Sequence, residues 1–230
     1  MEKRPLWFRI YGRIVRLFTS RPRFVYLGEQ VNEPSLILTN HEAAAGPLSW
    51  EFYFDRPKRF WSAHEMTEGI LSVFRYLAYL YFPEKKHFGR VLSPIFAFFA
   101  APFVSLFFTG LKPVPTYRDA SGFIRTVRES CDTVTGGRSI LLFPEDSSHG
   151  YAKRLGTIHS GFVVFCERML RKGVDLPVFV AFYSKKKRVI LVDAPIRYSA
   201  LRESRRDRDA VADALRVRLN ELADIVEKEA

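Results

Sequence analysis

The sequence predicts an α/β fold in which a mixed central sheet is flanked by helices. Two observations support this prediction. Short runs of β-forming residues alternate along the chain with helical stretches, which is the pattern of α/β sheets. A chain of 230 residues with 47% hydrophobic side chains is also long enough to form one domain with its own core.

The chain opens with a predicted basic amphipathic helix over residues 6–18. Its apolar residues recur at steps of three and four: Trp7, Ile10, Tyr11, Ile14, Leu17 and Phe18. Arg9, Arg13 and Arg16 occupy other positions, and residues 1–23 supply +6 of the net charge of +11. We interpret residues 1–23 as a membrane-anchoring helix and residues 24–230 as a single domain. Packing of this helix on the domain core remains the alternative.

The strands and helices of the domain follow in alternation. Strands are predicted at residues 24–27, 35–39, 139–143, 177–183 and 188–192. Helices are predicted at residues 66–81, 120–134, 158–171 and 200–227. The basic run 185–188, between two strands, is interpreted as a solvated hairpin turn, and a contact with lipid headgroups is left open.

An apolar insertion, residues 88–111, interrupts this pattern. Residues 91–111 contain no charge and six phenylalanines, a length that would permit a membrane span. Pro94 and Pro102 interrupt the run, however, and a single span would put the two parts of the domain on opposite sides of the bilayer. We therefore expect a segment that dips into one leaflet or forms a broken helical hairpin. A buried core helix and a true span are the alternatives.

The composition limits the classes of partner. A net charge of +11 and a pI near 9.8 favour nucleic acid, an anionic membrane, or a phosphorylated or CoA-type substrate. Nucleic acid is disfavoured because the aromatic residues cluster in the uncharged run instead of alternating with Lys and Arg. Cys131 and Cys166 form neither a disulfide nor a zinc pattern. We expect a peripheral or monotopic protein on the cytoplasmic face of a membrane, with anionic lipids as partners.

Polar residues with catalytic potential follow two of the predicted strands. Asn40 and His41 follow the run 35–39, and Glu145 follows the run 139–143, so all three stand at strand ends, where open α/β sheets commonly bind ligands. A neutral imidazole can accept a proton from a hydroxyl near pH 7. Arg118 ends a third strand-to-loop transition and supplies a cation suited to phosphate. His64, His87 and His159 are interpreted as structural.

In this order, these segments resemble the lysophosphatidate and glycerol-3-phosphate acyltransferase family. The four blocks of that family read roughly N-H-x-x-x-x-D, G-x-x-x-V-x-R, F-P-E-G-T-R-S and V-P-V-x-P-V. The corresponding segments here are residues 40–41, 110–118, 143–145 and 176–180, so the resemblance spans about residues 35–185. It implies a divergent glycerol-phosphate acyltransferase-like fold.

The resemblance also implies an activity in phospholipid biosynthesis. An acyl group would pass from acyl-CoA or acyl carrier protein, as donor substrate, to a hydroxyl of a lysophospholipid or a related acceptor. His41 would be the catalytic base, backbone donors near the first block would stabilise the oxyanion, and Asn40, Arg118 and Glu145 would bind the acceptor. No metal or cofactor is expected.

This chain departs from the family at the histidine's partner. Gly46 stands where the family has the aspartate that orients the histidine. Glu42, Glu51 or Asp146 could supply the carboxylate instead, and for Asp146 a turn or helix-capping role is the alternative.

A second departure lies in the third block. Ser148 replaces the phosphate-binding arginine, and Lys153, Arg154 or Arg118 could compensate. The two departures leave a second hypothesis open, in which the chain is a catalytically impaired lipid-binding protein on the same fold.

Overall fold

The computed structural model describes residues 4–145, 154–205 and 207–228. The strands are β1 Arg23–Tyr26, β2 Leu36–Thr39, β3 Lys58–Ala63, β4 Val114–Thr116, β5 Ser139–Leu142, β6 Pro177–Ser184, β7 Val189–Val192 and β8 Ile196–Arg197. The α-helices are α1 Leu6–Phe18, α2 Ala45–Tyr53, α3 Ile70–Tyr76, α4 Leu92–Leu111, α5 Ala120–Thr135, α6 Gly161–Arg171, α7 Tyr198–Glu203 and α8 Arg208–Lys228. A 3₁₀ turn covers His64–Met66, and a π-helical segment covers Leu77–Lys85.

The strands form one mixed sheet in the order β1-β7-β6-β2-β5-β3-β4, with β8 also paired to β6. Strands β6, β2, β5, β3 and β4 run parallel to one another. β7 and β8 are antiparallel to β6, and β1 is parallel to β7. The predicted α/β class with a mixed sheet flanked by helices is therefore confirmed.

The central strands are buried on both faces, because helices cover each side of the sheet. Leu36 and Leu38 of β2 point into a core shared with α5, α6 and α8, whereas Ile37 points into a second core shared with α1 and α2. Strands of a parallel sheet that is covered on both faces are mostly apolar, which explains why Leu36, Ile37 and Leu38 follow one another in β2 and why all four of its residues are buried. The molecule thus has three layers.

Helix α1 packs on the second core through its inner face. Phe8 is buried against Gly110, where an added Cβ would overlap the Phe8 ring, and Gly12 lies against Phe52. The outer face leaves apolar side chains exposed: Leu6, Trp7, Ile10, Ile14, Leu17 and Phe18. Helix α1 therefore contributes to the core as well as to the surface.

Helix α4 is continuous from Leu92 to Leu111, so the helix is not broken as expected. Pro94 lies in the first turn, where its missing N–H is tolerated, and the helix continues through Pro102. The hairpin is made instead with α3 and the π-helical segment, around a small core of Val73, Leu77, Ala78, Ala97 and Ala101. By length and composition, α4 could cross a membrane.

The outer face of α4 carries large apolar side chains along most of its length. The exposed residues are Leu92, Ile95, Phe96, Phe98, Phe99, Phe103 and Leu106. A buried core helix is therefore excluded for α4, since only its inner face is packed.

The helices differ from the sequence prediction in four respects. The helix predicted at 66–81 begins at Ile70, because Gly69 has a positive φ of 94°, and it turns π-helical at Leu77. The final helix is divided into α7 and α8, and Asp207 caps the start of α8 by accepting from the Ala210 N–H. Helix α6 begins at Gly161, not at 158, because Ile158 pairs with Glu145. The short helix α2 was not predicted.

Candidate active site

The parallel strands bring the predicted site residues to one edge of the sheet. β2 and β5 are neighbours, so His41, just after β2, and Glu145, just after β5, meet at their carboxyl ends. β3 and β4 end at the same edge, which brings His64 and Arg118 to this side as well. This is where open α/β sheets place ligands.

Asn40 fastens the end of β2 to β6. Its side-chain amide donates to the Tyr183 carbonyl at 2.9 Å, and its side-chain oxygen accepts from the Tyr183 N–H at 2.7 Å. The side chain is buried, and its amide forms hydrogen bonds with both the N–H and the carbonyl group of Tyr183. Asn40 therefore positions the first loop, a different role from the acceptor contact implied by the resemblance.

The His41 imidazole is held by a backbone carbonyl. Its Nδ1 lies 2.6 Å from the Ala43 carbonyl oxygen. A carbonyl can only accept, so Nδ1 carries the proton, and in the neutral ring Nε2 is the nitrogen that can take up a proton. Glu42 and Ala43 both have positive φ values, 45° and 51°, and this left-handed bend turns the Ala43 carbonyl back toward the ring.

The position of the family's aspartate has no room for a side chain. An added Cβ at Gly46 would overlap the carbonyl oxygen of His41 and press on that of Asn40. Gly46 lies in the first turn of α2, so the helix packs against the histidine loop through this glycine. The glycine at position 46 therefore allows α2 to pack closely on the histidine loop, and an aspartate at this position would prevent that packing.

Glu145 supports the histidine loop. Its Oε1 accepts from the His41 N–H, and the side chain is buried. The backbone around it is fixed by an antiparallel bridge between Glu145 and Ile158 and by the His159 N–H, which donates to the Pro144 carbonyl at 2.8 Å. Its carboxylate therefore acts on the His41 backbone, a positioning role in place of the acceptor contact expected from the resemblance.

An aromatic ring covers one side of the imidazole. The centroids of the His41 and Phe143 rings are 4.7 Å apart, and Phe143 in turn stacks on Phe60. The third sequence block thus contacts the first one through both Phe143 and Glu145.

One of the three candidate carboxylates, Glu51, has other partners. Glu51 is buried and pairs with Arg4 at 2.9 Å and Lys58 at 3.6 Å, so it does not orient His41. Glu42 directly follows His41 and has a left-handed backbone conformation. Burial raises the pKa of the Tyr183 phenol, and the Glu42 carboxylate raises it further, so Glu42 lies near Tyr183. The third candidate, Asp146, lies outside the described residues.

The candidate phosphate-binding cations are dispersed. Nη2 of Arg154 donates to both carboxylate oxygens of Asp224 on α8, so this exposed side chain is directed to α8. Arg118 is exposed just after β4. Lys153 lies outside the described residues.

A second polar cluster at the same edge was missed from the sequence. Nδ1 of His64 lies 3.2 Å from Oε2 of Glu65, and the His64 ring stacks on Tyr117 with centroids 4.8 Å apart. The Arg125 guanidinium lies 5.4 Å from the Tyr117 ring centroid. His64 directly follows β3, and His41 lies two residues after the end of β2. Position at the end of a strand, the criterion that selected His41, would therefore also have selected His64.

No family model matches the chain, and no curated protein matches it significantly. Within the described ranges, no group of three or more His, Cys, Asp or Glu side chains is arranged to hold a metal ion.

Proposed function

We propose that the chain is a membrane-associated acyltransferase of the glycerolipid type, with an altered acceptor site. The observation that carries the proposal is the arrangement of His41 beside Glu145 at the carboxyl ends of β2 and β5. The Ala43 carbonyl fixes the tautomer of the ring, which is the task that the aspartate performs in the family.

The reaction follows from that tautomer. Nε2 of His41 takes the proton from the acceptor hydroxyl as its oxygen attacks the thioester carbonyl of acyl-CoA or acyl carrier protein. The tetrahedral intermediate then expels the thiolate, which recovers the proton from the imidazolium, so the products are the acyl ester and the free thiol. Glu145 acts indirectly by holding the His41 backbone.

The acceptor's phosphate would bind beside the ends of β3 and β4. Arg118 and Arg125 are exposed there, next to the stacked pair of His64 and Tyr117. A cation at this place would take over from the arginine that the third block lacks. Asp119 and Glu65 lie near His64 in the same region, and their carboxylates would oppose an anionic ligand there.

The apolar surface supports the membrane part of the proposal. α4 presents an uncharged outer face, and Phe74, Pro94, Ile95, Phe98 and Phe99 line a shallow depression of about 300 Å³ between α3 and α4. An exposed apolar face of this extent is costly in water and suits lipid tails. The outer stripe of α1, bordered by arginines, has the composition of an interfacial helix.

A second candidate function is lipid binding without catalysis. It is favoured by Gly46, because a neutral carbonyl stabilises an imidazolium less than a carboxylate does. Loss of the orienting carboxylate lowers turnover roughly 10⁴-fold in a serine protease triad.

An acyl-transfer assay separates the two. Wild type and His41→Ala are incubated in mixed micelles with labelled acyl-CoA or acyl carrier protein and a panel of lysolipids. The matched control is His87→Asn, an exposed histidine with a φ of 55° that asparagine tolerates. Ester formation by wild type and the control, but not by His41→Ala, supports catalysis. Lipid binding by all three proteins without product supports the second function.

A further inference from the structure

The sheet topology gathers basic side chains from two distant segments at one corner of the molecule. β6 ends at Ser184 and β7 begins at Val189, so residues 185–188 turn at the edge of the sheet that carries His41. β1 begins at the same corner, because Arg23 pairs with Val189 and its N–H donates to the Arg188 carbonyl at 2.8 Å. We call this surface the basic corner; it consists of Arg21, Arg23, Lys185, Lys186, Lys187 and Arg188.

The charges of the basic corner are uncompensated by the described residues. No described carboxylate forms a salt bridge with any of its six side chains, and the described contact of the Lys187 ammonium is with the backbone carbonyl of Glu227. Elsewhere the acidic residues pair with arginines, as Glu167, Asp193 and Asp224 do. Part of the large positive net charge is therefore concentrated here.

An apolar tip adjoins these cations. Leu17 and Phe18 end α1 immediately before the corner, and they are 81% and 84% exposed. A partner must therefore offer anionic groups to the cations and, beside them, an apolar environment to Leu17 and Phe18. A bilayer interface provides both, whereas a folded acidic protein or a nucleic acid would leave the apolar tip in water.

We propose that the basic corner binds the headgroups of anionic lipids while Leu17 and Phe18 enter the adjoining apolar layer. This surface extends the contact of α1 to a hairpin that lies far away in sequence, and it brings the edge with His41 to the level of the headgroups. The inference rests on the membrane association proposed above, but not on the acyl transfer.

The test compares two pairs of substitutions in the full chain. Lys185→Gln with Lys186→Gln removes two exposed cations from the corner. Arg168→Gln with Lys172→Gln is the matched control, because these cations are exposed and lie near the end of α6, which leads to the start of β6 and hence to the opposite edge. Binding is measured by sedimentation with vesicles of phosphatidylcholine alone or mixed with phosphatidylglycerol.

We expect the corner pair to bind the mixed vesicles about 30-fold more weakly than wild type. The control pair should change less than threefold, and all proteins should bind phosphatidylcholine vesicles alike. Wild-type binding by the corner pair, or equal loss in both pairs, would overturn the proposal. The proposal would also be overturned if the corner pair bound vesicles like wild type but no longer transferred acyl groups from acyl carrier protein. That result would assign the corner to binding of an acidic protein.

A fluorescent label provides a second readout. Cys131 and Cys166 are buried, and burial raises the pKa of the Cys166 thiol, so introduced surface cysteines can be labelled selectively. An environment-sensitive probe on Lys186→Cys should shift to the blue with mixed vesicles, and one on Lys172→Cys should not. A blue shift of the probe at position 172 alone would mean that the opposite edge of the sheet faces the vesicle, which would contradict the proposal. Both measurements omit acyl donor, so an inactive enzyme would not affect them.

Discussion

At residue scale, the backbone of the histidine loop contacts the imidazole directly, while the Glu145 carboxylate holds the His41 N–H. Two left-handed residues turn the Ala43 carbonyl to Nδ1 of His41, and Gly46 allows α2 to approach the His41 carbonyl. The Ala43 carbonyl therefore contacts Nδ1, and Gly46 leaves no side chain at the position where the acyltransferase pattern that the sequence resembles has an aspartate.

Gly46→Asp is consequently expected to harm the protein, although it introduces the aspartate of the acyltransferase pattern that the sequence resembles. The added Cβ would displace the His41 backbone or the start of α2, at a cost of about 1–3 kcal/mol in unfolding free energy. Thermal unfolding and acyl transfer would both be measured. Gly89→Asp is the control, because a Cβ there meets nothing within 4 Å. A Gly46→Asp protein with normal stability and higher activity would contradict this view of the loop.

Sequence patterns could identify His41 and Glu145, but not what holds the imidazole. Strand ends are readable from hydrophobic runs, and neighbouring parallel strands bring their ends together. The Ala43 carbonyl could not be anticipated, since an alanine with positive φ leaves no signal in the sequence. The same holds for Glu51, whose charge suggested a partner for His41 but whose place on α2 directs it to Arg4 and Lys58.

At the scale of elements, an ion cluster joins the residues before α1 to α2, to the start of β3 and to the end of α4. Glu51 of α2 pairs with Arg4 and Lys58, and the Arg4 guanidinium also donates to the carbonyls of Gly110 and Leu111 at 2.8 Å. Burial lowers the pKa of Lys58, and the Glu51 carboxylate opposes that shift. The cluster anchors the start of α1 to the end of α4.

Glu51→Gln should lower the unfolding free energy by about 3–5 kcal/mol, because it leaves a buried ammonium without its counter-ion. Glu129→Gln is the control; it breaks a more exposed pair with Arg59 and should cost about 1 kcal/mol or less. Chemical denaturation gives both values. Similar small losses in the two variants would show that the cluster is not essential to packing.

The pH dependence of this loss has a defined sign. Without Glu51, the pKa of Lys58 falls further below its ordinary value of 10.5 in the folded state. The unfolded chain then binds more protons than the folded one as the pH approaches that value, so stability rises with pH. The deficit of Glu51→Gln relative to wild type should therefore shrink as the pH is raised toward 10.5.

The helices show where sequence patterns reach their limit. The apolar run 91–111 indicated an unusual element correctly, but its two prolines suggested a break that did not occur. Pro94 stands in the first turn, and the helix continues through Pro102 while its inner face packs against α3 and the π-helical segment. Tertiary packing of this kind is not visible in local propensity.

At the scale of the whole molecule, apolar surface is concentrated on α1, α3 and α4, while the other face of the sheet is covered by α5, α6 and α8. Phe103 of α4 is 66% exposed, and comparable isolated residues occur elsewhere, such as Ile124 of α5 at 61%. On α4, as on the outer stripe of α1, such residues form a continuous face. The lipid contact proposed above would account for that asymmetry.

Phe99→Ser combined with Phe103→Ser should therefore weaken partition into neutral micelles by at least about 10-fold per residue. Ile124→Ser removes a similarly exposed side chain from a helix on the other side of the sheet and should leave partition unchanged. Equal partition of both variants and wild type would argue against a membrane role for α4.

The central claim is that the His41 imidazole, held by a backbone carbonyl, takes the proton in acyl transfer. It is tested most directly by the transfer rate from labelled acyl-CoA to a lysolipid in the micelles that wild type prefers, measured for His41→Ala and His87→Asn. The account predicts a fall of about 10²- to 10⁴-fold for His41→Ala, with unchanged unfolding midpoint, and a wild-type rate for His87→Asn. A His41→Ala protein that transfers acyl groups as fast as wild type would contradict it.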